Sequence, residues 1–542
     1  MQIRANYVDI PNRQIYPAEI QIEDQKIKRI TRLTNKEQLP HYIIPGFVDA
    51  HVHVESSMLV PSEFARLAVR HGTVGTVSDP HEIANVLGIK GVEYMLENAA
   101  KVPFKFNFGA PSCVPATSFE SAGAVIDPQG VAQLLARPDI KYLAEVMNYP
   151  GVIHRTPDMM DKIAAAKAVN KPVDGHAPGV RGKDIEQYIA AGISTDHECF
   201  TLEEALEKRS LGMKILIREG SAAKNFEALI DLLPEHQAHV MFCSDDKHPD
   251  DLLLGHINQL AARAVAKGIP VFDVLQAACL NPVAHYGLDI GVLQEGDWAD
   301  FALVHDLKEF KVYATYINGV QVALNGKDHL ERIEPMLINN FHATAKKVED
   351  FALSATSDKI QVIQAIDGEL ITKKLTCKAR IENGLALSDP SRDILKMAVI
   401  NRYQDAPPAL AFIQGFDLKE GALASCVGHD SHNIIAVGTT DEAICQAVNL
   451  LIQHEGGIAV VSASQEKVLP LPIAGILSAQ SGEDVAAAYS ELDSLAKTTL
   501  GCPLRAPFMT LSFMALLVIP NLKLSDQGLF DGGQFQFTPL FV

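Results

Sequence analysis

The alternation of apolar and polar positions marks the start of the chain as β structure. Ala18-Glu19-Ile20-Gln21-Ile22-Glu23 sets an apolar residue at every second position, Asp24-Gln25 reads as a turn, and Lys26-Ile27-Lys28-Arg29-Ile30 resumes the alternation. The same texture returns far downstream. Ala299-Asp300-Phe301-Ala302-Leu303-Val304 reads as a strand, and Tyr313-Ala314-Thr315-Tyr316-Ile317 runs through Asn318-Gly319 into Val320-Gln321-Val322. Asn-Gly between apolar runs is a strong hairpin signal. Residues 1–42 and 289–332 are therefore expected to pair into one small β-sandwich-like domain, with the intervening block folding between them.

In that block, residues 43–288, short apolar runs alternate with helical stretches such as 61–70 and 183–191. Eight candidate strands start near Ile44, Thr73, Phe104, Tyr142, Pro172, Ile193, Lys214 and His239. Eight β-α units in about 250 residues match the size of a (β/α)8 barrel. Residues 333–542 read as a separate α+β domain, with strands at 433–437 and 457–462 and a helix at 441–453. No low-complexity linker precedes this domain, so it is expected to pack firmly on the barrel. The longest apolar run, 506–519, is broken by Pro507, Thr510 and Ser512 and stopped by Pro520. It falls short of the roughly 20 residues that span a bilayer and reads as core.

Composition narrows the function. Apolar content of 47% and charged content of 21% are those of a globular protein, and the net charge of −19 disfavours a nucleic-acid partner. A small neutral or cationic substrate suits that balance better. The eight cysteines show neither C-x-x-C spacing nor a disulfide framework, and the N-terminus lacks an apolar signal core. A reduced cytoplasmic setting, with no membrane partner, is the expectation.

The candidate chemistry lies where a barrel would place it, at the C-terminal ends of strands. Strand one runs into His51 and His53, whose i, i+2 spacing puts both side chains on one face of an extended chain. Strand two ends in Asp79-Pro80-His81-Glu82, strand four at Glu145, strand five at His176, strand six at His197 and strand eight at Asp245. Four histidines and two acids at one mouth suit two divalent ions that share a carboxylate. Each residue has a structural rival. The histidines could be core residues with satisfied hydrogen bonds, and Glu145 a salt-bridge acid. Asp246 competes with Asp245, and Asp79 with Glu82 resembles a helix capping box. In the last domain, Gly428-His429-Asp430-Ser431-His432-Asn433 could hold another ion, close over the barrel mouth, or be a polar loop.

The order H-x-H, acid, two separate histidines and a final Asp resembles the metal-dependent amidohydrolase superfamily. The strings Pro45-Gly46-Phe47-Val48-Asp49-Ala50-His51-Val52-His53-Val54-Glu55-Ser56-Ser57, Ser78-Asp79-Pro80-His81-Glu82 and Ala144-Glu145-Val146-Met147-Asn148 resemble its bacterial-type adenine deaminase family. The likeness spans nearly the whole chain. Many superfamily members bridge their metals with a carboxylated lysine, whereas Glu145 stands in that place here. The resemblance implies hydrolysis of adenine to hypoxanthine and ammonia by a metal-bridging hydroxide. It implies two ions, manganese or iron ahead of zinc, one held by His51, His53, Glu145 and Asp245 and the other by Glu145, His176 and His197. Asp245 would shuttle the hydroxide's proton, and Glu82 would protonate the purine N1, with Asp79 and His81 tuning it. Purine salvage in a cytoplasmic homodimer is the accompanying expectation. The alternatives are a cyclic-amide hydrolase on the same barrel and a non-catalytic barrel assembly protein.

Overall fold

A computed structural model of the chain describes residues 1–34 and 39–542. The central block contains eight parallel strands: β1 (Phe47–Val52), β2 (Thr73–Ser78), β3 (Lys105–Ala110), β4 (Ile140–Val146), β5 (Val173–Gly175), β6 (Thr195–Asp196), β7 (Lys214–Arg218) and β8 (Val240–Cys243). β1 to β5 pair in order, as do β6 to β8. Two seams close the ring. Ser194 N–H donates to Val173 O at 3.0 Å, Asp245 N–H to His51 O at 2.9 Å, and His53 N–H to Asp245 O at 3.2 Å. Every residue of β1, β2 and β8 is buried, as strands covered by helices outside and side chains inside must be. The eight strands begin close to the eight positions expected from the sequence.

The two flanking β segments join into one eight-stranded sheet. Its central strand, Tyr42–Pro45, pairs in parallel with Gln2–Asp9 and antiparallel with Phe301–Val304. Ile27 N–H donates to Asp297 O at 2.8 Å and Gly296 N–H to Ile27 O at 2.7 Å, bringing the far edge back onto the second segment. Ile20, Ile22 and Ile27 thereby share a core with Phe301, Leu303 and Ala314. The sandwich-like expectation is met by one folded-over sheet rather than two. Asn318 and Gly319 form the expected two-residue turn, both with positive φ, and Asp24-Gln25 turns in the same way.

The last third builds a mixed eight-stranded sheet that includes Ile434–Gly438 and Gly457–Val461, with helix Asp441–Gln453 packed on one face. Thr440 caps that helix by accepting from Ala443 N–H. This region docks on the barrel through Ser478 N–H to Met58 O at 2.8 Å, Gly482 N–H to Glu63 Oε2 at 3.0 Å and Asn433 Nδ2 to Ser121 O at 2.9 Å. The apolar run holds the buried helix Pro507–Phe513. Among the described residues no helix is long and apolar enough to cross a membrane. All eight cysteines are unpaired.

Candidate active site

The extended end of β1 delivers His51 and His53 side by side, their Nε2 atoms 3.2 Å apart. His53 Nε2 lies 3.2 Å from Glu145 Oε1 and 3.1 Å from Asp245 Oδ1, while His51 Nε2 is 3.6 Å from the same Asp245 oxygen. Glu145, near the end of β4, turns its other oxygen the opposite way. Its Oε2 sits 2.8 Å from His176 Nδ1 and 3.3 Å from His197 Nε2. One carboxylate thus faces two histidine pairs, one with each oxygen. Asp245 follows β8 with a φ of 55°, a left-handed conformation that Asp tolerates better than most residues. All six side chains are buried.

These groups fit divalent cations. Imidazole nitrogens and carboxylate oxygens crowd together from β1, β4 and β8 on one side and from β4, β5 and β6 on the other, as mixed N/O donor sets for a first-row metal do. Two histidine Nε2 atoms facing each other beside two carboxylates have little use for each other as hydrogen-bond partners. A cation between them gives every lone pair a partner. His81 Nδ1 also approaches the cluster, 3.6 Å from Glu145 Oε1 and 3.1 Å from Asp79 Oδ2.

Charged residues that the sequence reading did not single out surround this centre. Arg218, at the end of β7, is buried between Glu198 and Asp245, with its Nη1 2.5 Å from Asp245 Oδ2 and its Nη2 3.1 Å from Glu198 Oε2. Burial alone would raise the Asp245 carboxyl, but the Arg218 guanidinium and the nearby histidines outweigh it and hold Asp245 well below the usual carboxylate range. Asp246, the rival of Asp245, points elsewhere, to Ser56 Oγ and to His429 Nε2 at 3.3 Å. Below the cluster, Asp49 accepts from His51 N–H and Ser244 N–H and lies 2.8 Å from His256 Nε2. His256 is thereby a buttress under the site.

Glu82 meets the C-terminal region. Its Oε1 is 2.9 Å from His429 Nε2 and 3.4 Å from His81 Nε2, and its Oε2 touches His432 Nε2. Burial pushes this carboxyl up, yet His429, His432 and His81 together hold it well below its ordinary value. Asp430 Oδ1 stands 3.6 Å from His81 Nε2. The capping-box alternative is not what forms. The N-cap of helix His81–Leu87 is Pro80 with no side-chain cap, and the Asp79 side chain accepts from His81 N–H at 3.1 Å while its carbonyl lies 3.1 Å from His53 Nδ1. The loop 428–433 therefore approaches the barrel mouth from its own chain. Leu370, Phe513 and Leu516 add an apolar roof over a narrow cavity of about 30 Å³ that the charged groups line from below.

Residues 42–322 match the amidohydrolase family, and residues 369–536 match the adenine deaminase C-terminal domain. An adenine deaminase from Salinibacter ruber is 54% identical over 100% of this chain and 99% of its own length. One from Sulfurovum sp. is 55% identical over 99% of both. Among solved structures, a β-aspartyl dipeptidase from Fervidobacterium islandicum superposes with a TM-score of 0.46 at 15% identity, covering 60% of this chain and 98% of that one.

Proposed function

The chain belongs to the amidohydrolase family and, end to end, to the adenine deaminases within it, and from that premise we propose that it hydrolyses adenine to hypoxanthine and ammonia for purine salvage. The family uses divalent metals, and the clustered histidines and acids could hold them. The observation that carries the reading is Glu145, whose two oxygens face His53 and the histidine pair His176 and His197 respectively.

In this reading His51, His53, Glu145 and Asp245 would hold one ion and Glu145, His176 and His197 the other, with manganese or iron favoured over zinc. When bound, such ions would lower the pKa of water toward about 7 and so would supply a nucleophile at neutral pH. Asp245, kept ionised by Arg218, would accept the nucleophile's proton and return it to the departing amine. Charge that develops on the purine N1 is met by a proton delivered through Glu82. Glu82, ionised at rest, acts there as a relay. His81 and His429, which the surrounding carboxylates hold above the ordinary imidazole range, replenish the proton. His432 fixes the carboxylate, and Asp79 orients His81. Asp430, with His429 and His432, completes a cover from the C-terminal region that keeps bulk water from the ring.

A cyclic-amide hydrolase on the same barrel is the competing chemistry. Ammonia release from a panel of purines, pyrimidines and cyclic amides, with metals measured on the same sample, separates the two. Adenine as the preferred substrate supports the proposal, and turnover of cyclic amides alone sinks it. The unpaired cysteines support a cytoplasmic setting, and the neighbouring exposed side chains of Met336 and Leu337 support burial in a homodimer. Sedimentation of the wild type and of Leu337→Asp tests the latter.

A further inference from the structure

Beside the site cavity lies an open cleft of about 530 Å³, a size that suits a small-molecule ligand. Phe200, Lys224 and Asn225, from the loops after β6 and β7, form one wall, and Glu369, Leu370 and Ile371 form the other. Arg218 and Leu370 line both the cleft and the cavity above the histidine cluster, so they are the partition between the two. Arg218 is fixed by Glu198 and Asp245. Leu370 is the only aliphatic member of that partition.

The backbone of Leu370 is tied down unusually. Lys523, 0% exposed, donates to Leu370 O at 2.6 Å and to Phe513 O at 2.8 Å. A single buried amine thereby sets the position of two roof residues from separate segments. Phe200 keeps 38% of its surface exposed, and so offers an aromatic face where a flat base can stack. A second cleft, of about 640 Å³, is lined by Val114, Val125, Tyr149 and Phe535 among others. It meets the site cavity at one residue only, Met147.

We propose that the cleft over Phe200 and Ile371 is the vestibule where the purine base docks on its way in and out, with Leu370, positioned by Lys523, as the side chain it must pass. The ligand class rests on the adenine deaminase reading; the route does not. A gate changes both rate constants of binding and leaves the equilibrium nearly alone, which a structural defect does not do. The probe is the fluorescent adenine isomer 2-aminopurine, followed by stopped flow on the metal-loaded protein. Ile371→Trp fills the cleft, and association and dissociation should both slow about tenfold while Kd changes less than about twofold. Lys523→Met frees Leu370 and should accelerate both. Val125→Trp, in the larger cleft, should leave both unchanged. The proposal is overturned if 2-aminopurine fails to bind the wild type, if Ile371→Trp binds at wild-type rates, or if Val125→Trp is as slow. Ile371→Trp decides the matter even if Lys523→Met does not fold. Ammonia release from adenine by the wild type is read separately. A chain that passes the rate test yet leaves adenine intact keeps the vestibule and loses the reaction.

Discussion

At the scale of single residues, the sharpest demand falls on Glu145, the one group that faces both histidine pairs. Glu145→Gln should lose metal and activity together, and elemental analysis checks this; two ions per chain with normal turnover would remove Glu145 from the bridge. Glu82 faces histidines rather than the proposed ligand set. Glu82→Gln should therefore keep its ions while kcat falls on the order of 10²–10⁴-fold, the usual cost of a lost acid-base group. Loss of both ions in that variant would make Glu82 a ligand instead. Lys523 carries a pH signature. Burial pushes its ammonium down to about 7 from 10.5. Below about pH 7 the folded and unfolded chains are both protonated there, and the buried charge costs stability. Above it the folded chain is neutral while the unfolded chain still holds the proton, so this group makes stability rise with pH until about 10.5. Relative to Lys523→Met, the wild type should gain up to about 1.4 kcal/mol per pH unit in that window. Chemical denaturation of both proteins at pH 7 and pH 9.5 measures it; parallel curves would mean that Lys523 stays charged when folded.

At the scale of elements, the loop 428–433 is the test of whether the last domain serves the chemistry. His429→Ala and His432→Ala should raise KM or lower kcat without emptying the metal positions. Steady-state kinetics beside thermal melts decide this, since a structural duty lowers Tm and leaves the kinetics of the folded fraction normal. The barrel strands were legible because their apolar runs have strand length and recur at βα spacing. H-x-H and the acids and histidines at later strand ends give the candidate cluster its shape already in the sequence. Other parts were hidden for physical reasons. Glu198 and Arg218 occupy no diagnostic spacing, although Glu198 adjoins His197. Leu370, Phe513 and Leu516 look like ordinary core, because a hydrophobic pattern cannot tell a wall packed against protein from one that faces a cavity. Lys523 was more deeply disguised. In Leu522-Lys523-Leu524-Ser525 it occupies a polar slot of an alternating strand, where solvent is the default neighbour, yet the strand is buried on both faces.

At the scale of the whole molecule, the net charge of −19 should matter to cations and not to a neutral base. kcat/KM for adenine is expected to stay within about twofold between low salt and 0.5 M, because screening removes no attraction that a neutral ligand feels. Metal uptake by the stripped protein should slow as salt rises, since divalent ions are drawn by that field. Stopped-flow reloading with manganese, alongside steady-state assays in the same buffers, tests both; a steep salt dependence for adenine itself would point to a charged substrate. The sheet that embraces the barrel has a further consequence, during synthesis. Strand Tyr42–Pro45 finds its antiparallel partner only in Phe301–Val304, so a growing chain carries it with that edge open while some 250 residues are added. At about 5–20 residues per second this lasts on the order of ten to fifty seconds. Throughout that interval the nascent chain offers a ready template for mispairing with its neighbours on the polysome, and its yield in a cell should depend on chaperones that cover the edge until Phe301–Val304 can pair with it.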